Sequence, residues 1–452
     1  MTSAAVSCPI VLVAAPASGQ GKTTLTAALA RLHARQGRRV RVFKCGPDFL
    51  DPFWHTLASG APVHQLDLWM TGEADCRARL HAAAQSADLI LVEGAMGLFD
   101  GEPSAADLAQ RFGLPVLAVV DASAMAGTFG ALAYGLQHYR VGLRLAGVLA
   151  NRVASERHAK MLQDSLRDPD QWLGALMRNP ALTLPERHLG LVVATELQDA
   201  QQRLDAAADA LADTPLGRMG TAALQRWAVD FSASDLPAPA RTLQGRTVAV
   251  AMDRAFCFIY AANVEYLQAL GARVVYFSPL ADQALPACDA VWLPGGYPEL
   301  HAERLGANLG LRDSLRAHVA QGKPVWAECG GMMTLLEELV DSTGHRHRMW
   351  GLLPGQVTMQ KRLAGLGPQQ LLLDGAQLRG HTFHYSSTLT PLVPLARTSR
   401  PGQMAHAQDG EAVYVHGSVA ASYFHAWFPS SEALVTRLFS HGLQAQAQAM
   451  RA

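Results

Sequence analysis

Two short stretches of this sequence hold residue types that can do chemistry, and roughly three hundred residues separate them. The first is Ala15-Pro16-Ala17-Ser18-Gly19-Gln20-Gly21-Lys22-Thr23-Thr24. Gly21, Lys22 and Thr23 end the pattern G-x-x-x-x-G-K-[ST]. In that pattern backbone N–H groups cradle a polyphosphate, the lysine reaches the terminal phosphates and the hydroxyl binds Mg²⁺. Pro16 stands where the first glycine is expected. An apolar run precedes the loop and a helical pattern follows it, so the phosphates would meet a helix N-terminus. Ser18, Gly19, Gln20, Gly21, Lys22, Thr23 and Thr24 are therefore the candidate nucleotide-binding residues. The plain alternative is an ordinary strand-to-helix turn.

The second stretch is KPVWAECGGMMTL, residues 323–335. A buried strand runs into Cys329, and Gly330 and Gly331 allow a sharp turn into a helix, the form of a nucleophile elbow. A cysteine at a helix N-terminus is expected to have a lowered thiol pKa and to offer a thiolate. Upstream, WLPGGYPEL offers the backbone N–H groups of Gly295 and Gly296, with Gly330, as an oxyanion hole. VHGSVAASYFHAWF supplies His416 and His425 as candidate bases.

A third group lies between. KCGPDFLDPFWH (residues 44–55) sets Asp48 and Asp51 three apart around a turn fixed by Pro47 and Pro52, and ILVEG ends an apolar strand on Glu93. Oxygen ligands beside a triphosphate suit Mg²⁺, which makes Thr23, Asp48 and Glu93 its candidate ligands. Asp48 and Asp51 serve equally well as caps of the turn. Elsewhere, HRH (345–347) reads as an exposed polar turn. His381 and His384 fall three apart on a strand pattern, hence on opposite faces, a poor geometry for one metal.

These residues need elements to hold them. The first half alternates apolar runs (PIVLVAA, RVRVFKC, DLILVEG, LPVLAVVD, LAGVLANR, LGLVVATE) with helical stretches, which implies a parallel sheet covered on both faces. Glu93, Asp121, Asn151 and Glu196 end such runs, and ligands of open α/β sheets sit beyond the carboxyl ends of strands. Residues 196–230 read as Ala-rich helix. FSASDLPAPARTLQGR lacks periodicity and reads as a linker, after which TVAVAMD, ARVVYFSPL, DAVWLPGG and KPVWAECGG restart the alternation. The expected organisation is an α/β domain at 1–232, a linker at 233–245 and a second α/β domain at 246–445.

At 452 residues two domains are the default. Lysine plus arginine equals aspartate plus glutamate at 38 each, leaving no net charge to attract nucleic acid or an anionic membrane. No apolar run approaches the roughly 20 residues of a membrane span, and the apolar start reads as a first strand rather than a signal peptide. Six scattered cysteines without a C-x-x-C pair suit a reducing compartment, so the cytoplasm is the expected location.

Taken in order along nearly the whole chain, the motifs resemble the cobyrinic and hydrogenobyrinic acid a,c-diamide synthase family of cobalamin biosynthesis. APASGQGKTT, GPDFLDPFWH, VEGAMGLFDG, NRVASERH and PERHLGLV carry the resemblance in the first half. LPGGYPELHA, AECGGMM, HTFHYS and SYFHAWF carry it in the second. The family's phosphate loop has Ala-Pro in place of the early glycine, so Pro16 matches it; Phe49 stands where tyrosine is common.

The resemblance implies a dethiobiotin-synthetase-like P-loop domain, a doubly wound parallel sheet, followed by a class I glutamine amidotransferase-like α/β domain. It implies that ATP phosphorylates a substrate carboxylate and that ammonia then displaces the phosphate. Cys329 would attack glutamine and His425 would shuttle protons. Trp427 stands where many class I relatives have the third triad residue, a glutamate. Asp48, Phe49, Leu50 and Asp51 would face the tetrapyrrole acid, with Mg²⁺ as cofactor. The implied partners are small molecules only (tetrapyrrole acid, glutamine and ATP), and the resemblance is compatible with a homodimer. A Ni-sirohydrochlorin a,c-diamide synthase shares the architecture. A P-loop regulatory ATPase with an inactive glutaminase-like domain is the rival from another class.

Overall fold

Every residue of β4 (Leu89–Glu93) is buried, as are the last seven of β1 (Val6–Ala14) and the first five of β5 (Val116–Asp121). Strands this apolar must be covered on both faces, and a parallel sheet provides that. With β2 (Val40–Cys45), β3 (His64–Leu66), β6 (Leu145–Val153) and β7 (Trp172–Met177), they form a sheet in the order β3-β2-β4-β1-β5-β6-β7. All of these pairings are parallel. Successive side chains alternate between its faces. Ile10, Leu12, Ile90 and Val92 enter one core, and Val11, Val13, Leu89 and Leu91 enter the other. Each such fully buried side chain contributes about 1.5–3 kcal/mol.

This computed structural model describes residues 5–182, 184, 186–187, 190–191, 199–233, 236–403 and 410–444. The chain divides into two units, Met1–Leu236 and Pro237–Ala452. Most of LGLVVATE, with Glu196, lies outside the described residues. Its start, Gly190–Leu191, pairs antiparallel with Glu186–Arg187. The Ala-rich stretch is helical over Ala200–Ala212 and Thr221–Leu224, but it ends in a strand, Ala228–Phe231, rather than in helix. That strand pairs antiparallel with Val6–Pro9, where β1 runs on beyond its parallel neighbours. Backbone donors and acceptors that would otherwise lack partners are met there. Within the second unit, residues of the linker stretch pack closely. Leu243 is buried, and the Thr242 hydroxyl meets that of Thr436 at 2.6 Å.

The second unit has its own sheet, in the order Arg273–Phe277, Thr247–Ala251, Ala290–Leu293, Val325–Glu328, Val419–Ser422, Ala412–His416 and Ala396–Arg397. The first five strands are parallel and the last two pairings antiparallel. A long antiparallel hairpin, Gly365–Leu373 with Ala376–His384, also belongs to this unit. HRH is only partly a turn. His345 is exposed, but Arg346–Arg348 pairs with Glu338–Val340, and His347 Nε2 meets Asp341 at 2.9 Å. A turn this short becomes a strand when a neighbouring edge can take up its backbone.

Candidate functional site

In the first unit the carboxyl edge of the sheet is where the chemistry-bearing residues meet. Gly19 and Gly21 have φ of 76° and 97°, conformations open to glycine, and helix α1 (Lys22–Arg35) starts directly after them. A Cβ on Gly21 would lie 2.3 Å from Asn151 Nδ2. That amide donates to the Gln20 carbonyl at 2.8 Å, while the Asp121 N–H donates to Gln20 Oε1 at 2.8 Å. Asp121 and Asn151 are register partners on β5 and β6, so two strand ends grip the loop together. Gly21→Ala combines this clash with a strained φ. ATP should bind roughly tenfold or more weakly to this variant, as measured by calorimetric titration; unchanged affinity would show that the loop is not the phosphate cradle.

Lys22 Nζ donates to the carbonyls of Met96 at 2.5 Å and Ala17 at 3.3 Å. Burial, and then Lys44, lower its proton affinity. The Thr23 hydroxyl donates to Glu93 Oε1 at 2.7 Å. Glu93 is buried at the end of β4 and faces Lys44, its register partner on β2, at 3.1 Å. Lys44 also meets Asp51 at 2.5 Å and Asp48 at 3.9 Å. Burial opposes the charge on Lys44, but Asp51 and Glu93 outweigh it and hold the ammonium firmly protonated. His55 Nε2 contacts Glu93 Oε2. Burial would raise the Glu93 carboxyl; Lys44 and His55 instead hold it far below the usual range.

The sequence reading singles out Asp48, Asp51 and Glu93 but passes over Lys44 and His55. A signal for both existed. Lys44 is a lone charge one residue before the end of β2, and His55 lies one helical turn beyond Asp51 on α2 (Asp51–Ser59), so His55 and Asp51 face the same way. Asp48 does cap the turn. Its Oδ1 accepts from the N–H groups of Leu50 at 2.7 Å and Asp51 at 3.1 Å. Its other oxygen remains on the Lys44 side, so the two readings of Asp48 are compatible. Phe49 and Leu50 are half-buried on that turn.

In the second unit the strand Val325–Glu328 runs into Cys329, whose φ of 45° and ψ of −106° mark a strained elbow. The Cys329 N–H donates to the Ser422 carbonyl at 2.7 Å, and His425 follows three residues after Ser422. The glycines close the space around this turn. A Cβ on Gly330 would lie 3.0 Å from the Gly296 nitrogen, and one on Gly295 would lie 2.4 Å from His425 Cε1. The elbow, the Gly295-Gly296 strand end and His425 therefore meet at one place. His416 is exposed at the end of its own strand.

The thiol does not behave as the elbow pattern alone implies. Burial, reinforced by the charge of Glu299, pushes the Cys329 pKa well above its ordinary value, against the single helpful N–H of Gly330. The helix behind it is only Gly330–Leu335, too short to offset complete burial. The Cys329 side chain is therefore held as a neutral thiol. Burial likewise keeps His425 neutral, and His381 and His384 add to the effect. His381 stacks on His425 at 5.0 Å and shares a hydrogen bond with the Tyr260 hydroxyl at 3.1 Å. His384 stacks on Tyr423 at 3.7 Å and meets Glu411 at 3.0 Å. The two histidines thus have separate surroundings. Among the described residues no group of three or more His, Cys, Asp or Glu is placed to hold a metal ion.

Residues 11–192 match the family model of the CobQ/CobB/MinD/ParA nucleotide binding domain, and residues 247–433 that of the CobB/CobQ-like glutamine amidotransferase domain. The hydrogenobyrinate a,c-diamide synthase of Stutzerimonas stutzeri is 56% identical over 94% of this chain and 96% of its own. The protein of that name from Pseudomonas aeruginosa is 56% identical over 94% and 95%. The cobyrinate a,c-diamide synthase of Herminiimonas arsenicoxydans is 48% identical over 98% and 100%.

Proposed function

The chain belongs to the cobyrinate and hydrogenobyrinate a,c-diamide synthase family, and from that premise we propose how its two sites divide the work of a glutamine-dependent ligase. The reaction is the ATP- and glutamine-dependent amidation of the a and c side-chain carboxylates of cobyrinic or hydrogenobyrinic acid. A carboxylate resists ammonia because its oxygen leaves poorly; as an acyl phosphate it has a good leaving group. The first unit makes that acyl phosphate and the second supplies the ammonia.

Phosphoryl transfer depends on position and charge neutralisation. Ser18 to Thr24 cradle the triphosphate. Lys22, freed from the Met96 and Ala17 carbonyls, moves onto its terminal phosphate. Lys44 stays charged between Asp51 and Glu93 and offers a fixed cation at the carboxyl edge, where the substrate carboxylate must approach. Asp48, Phe49, Leu50 and Asp51 line that approach. The donor set fits Mg²⁺ carried in with ATP, since that ion takes only one or two protein carboxylates beside phosphate oxygens. Thr23, Glu93 and Asp48 would hold it, and it would neutralise phosphate charge.

In the second unit Cys329 attacks the glutamine amide carbon and His425 takes the thiol proton. Gly295, Gly296 and Gly330 offer N–H groups to the developing oxyanion. The proton passes to the departing ammonia, and water releases glutamate from the thioester. The observation that carries this reading is the convergence of the Cys329 elbow, Gly295 and His425 within one unit, while a phosphate loop and the Lys44–Glu93 pair converge in the other. Intact convergence at both sites, together with synthase names on the relatives, favours the ligase over a regulatory ATPase. The six free, buried cysteines support a reducing cytoplasm as its place of work.

The direct test incubates the protein with ATP, Mg²⁺, glutamine and each tetrapyrrole acid, and counts amides by mass. Two amides per molecule are expected. No mass change with any of the acids, by folded protein, would end the reading.

A further inference from the structure

His425 needs a partner that fixes its tautomer, and the place two residues later is taken by Trp427. That indole is buried and packs edge-on to Tyr260 at 5.2 Å. The structure places a carboxylate elsewhere. Glu328, the residue before the nucleophile, is 1% exposed, and its Oε2 lies 3.9 Å from His425 Nδ1. Its Oε1 accepts from Trp326 Nε1 at 2.7 Å and from the N–H of Ala426, the residue after the histidine, at 3.3 Å. One oxygen is thus tied to the segment carrying the imidazole, and the other faces the ring.

The ring is held from other sides as well. His381 stacks on its face at 18°, Phe258 lies 6.1 Å away, and the missing Cβ of Gly295 leaves room for Cε1.

We propose that Glu328 is the positioning residue of the glutaminase centre, taking the part of the absent third triad member from the strand side. This rests on the ligase reading above. With Glu328 ionised, Nδ1–H points at Oε2 and Nε2 keeps its lone pair. As Cys329 Sγ bonds to the amide carbon, the thiol proton moves to Nε2, and the imidazolium so formed faces a carboxylate. The C–N bond then breaks and that proton leaves on ammonia, returning the ring to its first tautomer. A protonated Glu328 would instead donate to Nδ1, place the ring proton on Nε2 and block the transfer. Burial pushes the Glu328 carboxyl up to about 8, so activity should fall as pH drops through that region. Among the described residues, the other titratable groups facing the centre are His381 and His384 on the histidine side and Glu299, Glu411 and Tyr423 on the thiol side. Glu299 is itself raised to about 7 by burial.

The test measures glutamate release from glutamine as a function of pH in wild type, Glu328→Gln, Glu328→Asp and Cys329→Ala. Glu328→Gln should lose roughly 100-fold in kcat, with KM for glutamine within about threefold, and should lose the wild-type acid limb near pH 8. Glu328→Asp, charged but shorter, should recover part of the rate and the limb. A Glu328→Gln enzyme with wild-type kcat and the same acid limb would overturn the proposal. If that variant proves unfolded by its thermal transition, Glu328→Asp decides: a wild-type rate and limb there also overturn it. Release by Cys329→Ala equal to wild type would refute the ligase reading itself, a result separable from any failure at Glu328.

Discussion

Cys329→Ser should abolish glutamine-dependent amidation, by about 10⁴-fold or more, while amidation with added ammonium salt continues. The loss is this large because nothing else at the elbow can replace the thiol. The resting thiol is neutral, so attack already depends on proton transfer to His425, and a hydroxyl gives up its proton far less readily than a thiol. Serine fits the elbow without new volume, so the unit keeps its fold. The P-loop unit retains every residue it needs to activate a carboxylate, and free ammonia can then attack the acyl phosphate. Ammonia-dependent turnover should rise with pH, because more of the added nitrogen is then unprotonated. Mass-counted amides with each nitrogen source give the answer. If both activities vanish from folded protein, the division of labour between the two sites is wrong.

The residues of the proposed glutaminase centre are legible in unequal degree. Cys329 with its two glycines stands out because a sharp elbow needs local residues at fixed spacing. The phosphate loop is legible for the same reason, and Glu93, Asp121 and Asn151 because polar residues ending apolar strands align at one sheet edge. Lys44 and His55 were hidden by a different rule. A buried cation is explained only by its partners, and the parallel register of β2 with β4 that supplies Glu93 cannot be read from either strand alone. Glu328 is hidden in the same way, since its approach to His425 depends on how Val325–Glu328 lies beside Val419–Ser422. An elbow pattern reports a turn and a helix N-terminus, which lower a thiol pKa, while the burial that raises it at Cys329 depends on everything packed over them. The short strands Ala228–Phe231 and Arg346–Arg348 form because neighbouring edges need partners, which no local pattern encodes.

Lys44→Met should stop amide synthesis with either nitrogen source, by roughly 10³-fold, and leave glutamate release from glutamine nearly unchanged. The side chain is buried with Asp51 at 2.5 Å and Glu93 at 3.1 Å, so its removal leaves Glu93 with His55 and the Thr23 hydroxyl and leaves Asp51 without its cation. Breaking such a pair from one side costs about 3–5 kcal/mol, which lowers the thermal midpoint of the first unit by roughly 6–20 °C. That effect alone could mimic a catalytic one. Adding Asp51→Asn separates the two, because Glu93 then keeps His55 and the Thr23 hydroxyl, and no carboxylate is left without a partner. The double variant should regain most of the lost thermal midpoint and none of the synthesis, since the fixed cation at the carboxyl edge is still missing. Glu93→Gln should also lose synthesis, for the complementary reason that Lys44 and His55 lose the negative charge between them and one of the two acceptor oxygens becomes a donor. Normal diamide formation by the stabilised double variant would remove Lys44 from the mechanism. Synthesis that returned in step with thermal stability would reduce the cluster to a structural role.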